Sequence, residues 1–82
     1  MLVKYLRDKN NVPHGCVVST SPYKFGYSLC AKGDVFDKKT ALELAVMRAN
    51  CIPENRILAH TPESLQDLML DMIYRASRYY KV

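Results

Sequence analysis

The stretch Cys16-Val17-Val18-Ser19-Thr20-Ser21-Pro22-Tyr23-Lys24-Phe25-Gly26-Tyr27-Ser28-Leu29-Cys30 decides the fold class. β-Branched and aromatic residues flank Ser21-Pro22, a turn-forming pair, so 16–20 and 23–30 read as two strands of an antiparallel hairpin. If residue 18 lies near residue 25, Cys16, Val18, Phe25, Tyr27 and Leu29 share one face and Lys24, Gly26 and Ser28 the other. That division is the pattern of a half-buried sheet. Gly26 on the outer face then marks a bulge, or a place where another molecule's backbone approaches closely.

Working outward, residues 2–7 read as a preceding strand, with Leu2 and Leu6 competing with Val3 and Tyr5 for the core. The run 8–15 holds Asp, Asn, Pro and Gly and reads as a loop. On the other side, Ala31-Lys32-Gly33-Asp34 is a turn, and Asp37 is placed to cap a helix over 38–50. Leu42, Ala45, Val46 and Ala49 form its inner stripe, Lys39 and Glu43 stand on the solvent side, and Phe36 is a candidate hydrophobic staple. Pro53 breaks the chain, and 56–59 is a short fourth strand or an extended link. Thr61-Pro62 opens a second helix with a hydroxyl cap and a proline. Its buried stripe is Leu65, Leu68, Met69, Met72, Ile73 and Ala76, with Asp67 and Asp71 early and Arg75, Arg78 and Lys81 late, as the helix dipole favours. The expected fold is α+β: one domain over 1–82, a three- or four-stranded antiparallel sheet with two helices packed on one face, in the order β-β-β-α-(β)-α.

Eighty-two residues leave no room for a second core. A net charge of +4 leans mildly toward anionic partners. Cys16, Cys30 and Cys51 are odd in number and widely spaced, which argues against a disulfide framework or a zinc site and for packed, free thiols. Nothing resembles a secretory signal or a membrane span, so the expected compartment is a reducing cytoplasm.

No metal-ligand spacing, P-loop, dinucleotide fingerprint or calcium loop is present, and no cofactor is expected. His14 and Cys16 share a strand face by their spacing, but no third group completes a nucleophilic arrangement, and His60 reads as a loop residue. The chain is therefore expected not to be an enzyme. Three groups of residues point instead to binding. Lys32, Lys38 and Lys39 flank the first helix start, where free backbone N–H groups already favour phosphate, and Lys24 on the outer sheet face would extend that surface. Arg75 and Arg78, interleaved with tyrosine, form a possible second phosphate patch. Tyr74, Tyr79, Tyr80, Met47 and Leu70 do not fit neatly into the buried stripes and are candidate interface anchors.

Gly26-Tyr27-Ser28-Leu29-Cys30, then Asp34-Val35-Phe36-Asp37-Lys38-Lys39, then Leu44-Ala45-Val46-Met47-Arg48-Ala49 resembles a pattern in small, mostly uncharacterised accessory proteins of tailed bacteriophages. The resemblance covers the central third of the chain. It implies a non-catalytic protein acting in the infected host's cytoplasm by binding a host or phage macromolecule. A looser likeness is to the latter half of a double-stranded-RNA-binding domain, whose sheet precedes a helix opening with paired lysines, the place held here by Lys38 and Lys39. This chain lacks that domain's N-terminal helix and its glycine turn before the lysines. The expected role is contact with nucleic acid or another phosphate-rich ligand; the alternative is a protein-interaction module that binds or inhibits a host protein complex, or a homodimer.

Overall fold

The computed structural model describes residues 1–30 and 35–80. The expected turn at 31–34, with Lys32 of the lysine group, and Lys81 lie outside them.

Three antiparallel strands, β1 (Leu2–Arg7), β2 (Pro13–Ser21) and β3 (Lys24–Leu29), form a sheet in the order β1-β2-β3. Two long helices follow, α1 (Lys38–Cys51) and α3 (Glu63–Tyr79). Between them lie a 3-10 turn, Glu54–Arg56, and the one-turn helix α2 (Ile57–His60). The architecture is α+β as expected, but the segment considered for a fourth strand is helical, and the described residues form three helices rather than two.

The loop after β1 is shorter than its composition suggests, because the Asp8 side chain organises it. Its carboxylate accepts from the backbone N–H groups of Asn10 and Val12 (2.8 and 3.0 Å), and Asn11 takes the left-handed conformation asparagine tolerates, with φ 64°. The strand then resumes at Pro13, a first-strand position that needs no N–H donor.

The β2–β3 register corrects the expected faces. Val18 pairs with Gly26, and Val17 with Tyr27, because the register shifts between Ser19 and Ser21 at the hairpin. One extra residue, Thr20, moves every side chain of β2 to the opposite face relative to β3. Cys16 and Val18 therefore lie with Gly26 and Ser28, while Val17 lies with Phe25 and Tyr27.

Both faces are covered, so the helices do not share one side of the sheet. On one, the buried Cys16 and Val18 meet Ala41, Ala45 and Ala49 of α1, with Val3, Tyr5, Phe36, Leu42 and Val46 around them. On the other, Val17 and Phe25 meet Leu65, Met69, Met72 and Ala76 of α3, together with Ile57. The stripe foreseen for the second helix is the one it buries, with Leu68 and Ile73 at its margin. Phe36 packs edge-on to Tyr5 at 6.2 Å.

Gly26 sets the spacing of α1 on the sheet. A Cβ there would lie 1.8 Å from the Ala45 carbonyl oxygen and 2.6 Å from the Ala49 nitrogen. The close backbone foreseen at this glycine belongs to the chain's own helix. Three inward alanines one turn apart permit that approach. At the start of α1, Asp37 accepts from the Thr40 hydroxyl (3.0 Å) and the Lys39 N–H (3.0 Å), which together hold its carboxyl below the usual range. Thr61 differs from its expected capping role: its buried hydroxyl donates back to the Ile57 carbonyl at 2.6 Å.

Candidate functional site

The foreseen cations are spread out by the fold. Ala41 lies against the Cys16–Ser28 end of the sheet and Ala45 and Ala49 against Gly26, so α1 runs along β3 toward the β2–β3 hairpin. Lys38 and Lys39 therefore stand at one end of α1 and Lys24 beyond its other end, separated by about 20 Å, the length of the helix. The Lys38 ammonium lies over the Tyr5 ring at 5.1 Å. The Lys39 side chain is exposed, while its backbone N–H is taken by Asp37.

Arg75 and Arg78 belong to α3, on the opposite face. Arg75 pairs at 3.0 Å with Asp71, and the same carboxylate oxygen accepts from Lys4 at 3.2 Å. Arg78 stacks over Tyr74 at 5.6 Å. These partly exposed cations already have local partners, each contact worth little in stability.

The foreseen interface residues divide as well. Met47 is 54 % exposed on α1, while Leu70, Tyr74 and Tyr79 are 52, 63 and 57 % exposed on α3. Tyr80 instead packs against the α3-side core and donates its hydroxyl to the Ser19 carbonyl at 2.9 Å. It is a structural tether between the end of α3 and β2 rather than an open anchor. Tyr79 stands edge-on to it at 5.0 Å.

A cavity of about 480 Å³ opens where the end of β3 meets the start of α1. Its walls are mainly apolar: Leu29, Val35, Phe36, Ala41 and Leu44, with Ser28, Cys30, Asp37 and Thr40 as polar groups. Leu29, Val35 and Leu44 are exposed, Val35 to 93 %, and Met47 follows Leu44 by one helical turn. The apolar lining therefore continues outward along α1. Leu44 carried the legible signal, since it falls off the inner stripe 42/45/46/49. Leu29 and Val35 became visible only once the register and the helix position were known.

Cys16, fully buried, contacts two of the lining residues, with its sulfur 3.4 Å from the Ser28 hydroxyl and 3.7 Å from the Ala41 carbonyl that accepts from it. Burial pushes its thiol pKa up, outweighing the Ser28 contacts. A buried thiol held in its neutral form packs and donates a hydrogen bond; it is a poor nucleophile. Among the described residues no group of three His, Cys, Asp or Glu side chains is arranged to hold a metal ion, and no helix is long and apolar enough to cross a membrane.

Arg48 was not singled out by sequence. Its guanidinium donates to the Tyr27 carbonyl at 3.0 Å and lies 4.8 Å from the Tyr27 ring centre. The Cys30 N–H donates to the His14 carbonyl, which by strand alternation turns the Tyr27 backbone groups away from β2 toward the open edge of β3. Arg48 thus covers the middle of that edge. Arg48→Ala is expected to cost about 1–2 kcal/mol from the lost hydrogen bond and ring contact. Urea unfolding is the check, with amide exchange along β3 rising; unchanged exchange would deny the covering role.

No family model, curated protein or solved structure matches this chain.

Proposed function

We propose that this chain is a non-catalytic binding protein that engages another protein through the apolar cleft between β3 and α1. The observation supporting this is the grouping of exposed Leu29, Val35, Leu44 and Met47 at and beside one cavity, while Lys24 stands at the opposite end of α1 from Lys38 and Lys39. A large exposed apolar group rimmed by polar side chains is characteristic of interaction surfaces. The polar rim here, Asp37 and Thr40, is occupied in capping α1 and leaves the apolar walls to supply affinity. This reading keeps the accessory-protein expectation of action on a host or phage macromolecule in the host cytoplasm, and selects protein over nucleic acid as its class.

The test compares two double variants as immobilised baits in nuclease-treated lysate. Leu44→Asp with Met47→Asp is expected to lower retention of a stoichiometric protein partner by about ten-fold or more, since exposed apolar anchors dominate such contacts. Lys38→Glu with Lys39→Glu is expected to leave it unchanged. The opposite pattern, with the lysine pair required and the apolar pair dispensable, would return the site to the helix start and the ligand to a phosphate-bearing molecule.

A further inference from the structure

The two edges of the sheet are finished differently, and the difference identifies a second surface, independent of the cleft. Arg48 covers the edge of β3. The alternation that turns Tyr27 outward directs the backbone groups of Gly15, Val17 and Ser19 to β1, where they pair with Leu6, Lys4 and Leu2. The N–H and C=O groups of Val3 and Tyr5 therefore point out of the sheet. Among the described residues no side chain or backbone group bonds them from that side. An uncovered strand edge is a template for another strand.

The occupant that fits best is the same strand. Antiparallel pairing across a two-fold axis needs outward-facing residues of one copy opposite outward-facing residues of the other. With Lys4 on the axis, Val3 meets Tyr5 of the second copy and Leu2 meets Leu6, so apolar residues oppose apolar ones on both faces. Centring on Tyr5 instead sets Lys4 against Leu6 and Val3 against Arg7; centring on Val3 sets Leu2 against Lys4. The axial lysines would repel if bare, but each is held at 3.2 Å by Asp71, whose same oxygen also pairs with Arg75 at 3.0 Å; each copy thus brings one carboxylate between two cations, and the apolar pairs on both faces supply the affinity against the residual positive charge. We propose that β1 is the surface through which two copies of this chain pair, antiparallel and in the register that places Lys4 opposite Lys4, making a continuous sheet across the dimer.

In this arrangement Val3 and Tyr5 exchange both backbone bonds across the axis, and the Lys4 pair between them is a non-hydrogen-bonded one, with its Cα atoms about 4.5 Å apart. That spacing lies within reach of a disulfide. Sedimentation equilibrium of the full chain is expected to give a concentration-dependent mass rising from 9.4 kDa toward twice that value. In a Cys51→Ser background, Lys4→Cys is expected to cross-link into a covalent dimer under mild oxidation, whereas Arg7→Cys is not. Val3→Pro removes an N–H that the monomer does not use, and is expected to weaken association by about ten-fold or more. A wild-type chain that stays at the monomer mass up to millimolar concentration would overturn the proposal. So would a dimer that cross-links through position 7 and not position 4. Neither outcome touches the cleft, whose partner is read by the variants at Leu44 and Met47.

Discussion

Gly26→Ala is expected to remove a large share of the folding stability of the domain. The added methyl would fall 1.8 Å from the Ala45 carbonyl oxygen, 2.6 Å from the Ala49 nitrogen and 2.9 Å from the Ala45 carbonyl carbon. All three are backbone atoms in the middle of a helix, so no side chain can swing aside. Relief requires α1 to lift off the sheet by more than an ångström. That movement separates Ala41, Ala45 and Ala49 from Cys16 and Val18 and opens a void on the face they seal. Overpacking ordinarily costs 1–3 kcal/mol; a clash with backbone on this scale belongs at or above the upper end, about 3–5 kcal/mol. A domain of this length has a total stability of about 4–12 kcal/mol. Urea unfolding of wild type and variant measures the difference directly. A loss below about 1 kcal/mol would mean that α1 does not rest on Gly26.

Phe25→Ala, one residue earlier, is expected to cost about 3–5 kcal/mol for a different reason. Phe25 is 1 % exposed and points to the other face, among Val17, Ile57, Leu65 and Met69. Its truncation leaves a cavity beneath α3 while α1 stays seated. Tyr23→Ala at the hairpin, where the side chain is exposed, is the control and should change stability by less than about 0.5 kcal/mol. Sensitivity at two adjacent strand positions, one to enlargement and one to truncation, is the signature of a sheet covered on both faces. With helices on one face only, one of the two would tolerate its change. A Phe25→Ala loss no larger than that of Tyr23→Ala would contradict the two-sided core.

Several elements were legible because local chemistry and packing agree on them. Asp37 caps α1 where a carboxylate before a helical stripe should, and Leu65, Met69, Met72 and Ala76 recur at the helical period and are buried together. The opposite placement of the helices was not legible, and one residue explains why. Ser21-Pro22-Tyr23-Lys24 looks like a simple hairpin turn, which would align Val18 with Tyr27 and Phe25 on one apolar face. The extra residue at Thr20 slips the register, so β2 offers Cys16 and Val18 to one helix and Val17 to the other. Read correctly, the uninterrupted run Cys16-Val17-Val18 is the mark of a strand buried on both sides. The segment after Pro53 misled because Ile57 and Leu58 suit a strand; burial of Ile57 beneath α3 favours a single helical turn there.

The candidate site was legible only in part. Met47, Leu70 and Tyr74 are exposed because their positions fall outside the buried stripes, which periodicity alone revealed. Tyr80 looked equivalent, but its hydroxyl reaches Ser19, a contact across 61 positions that no local pattern encodes. The lysines near one helix start suggested a single patch because they are close in sequence. The length of α1 carries Lys24 away from Lys38 and Lys39, and Asp71 holds Arg75 on the other face.

The most direct test of the binding role is retention of lysate components by the wild-type chain across a salt series, with and without nuclease. The account predicts a protein partner at fixed stoichiometry that survives nuclease and holds through high salt, because apolar burial is not screened. Nucleic acid held at low salt and released steeply as salt rises, with no protein remaining after nuclease, would contradict it and place the binding on the cations.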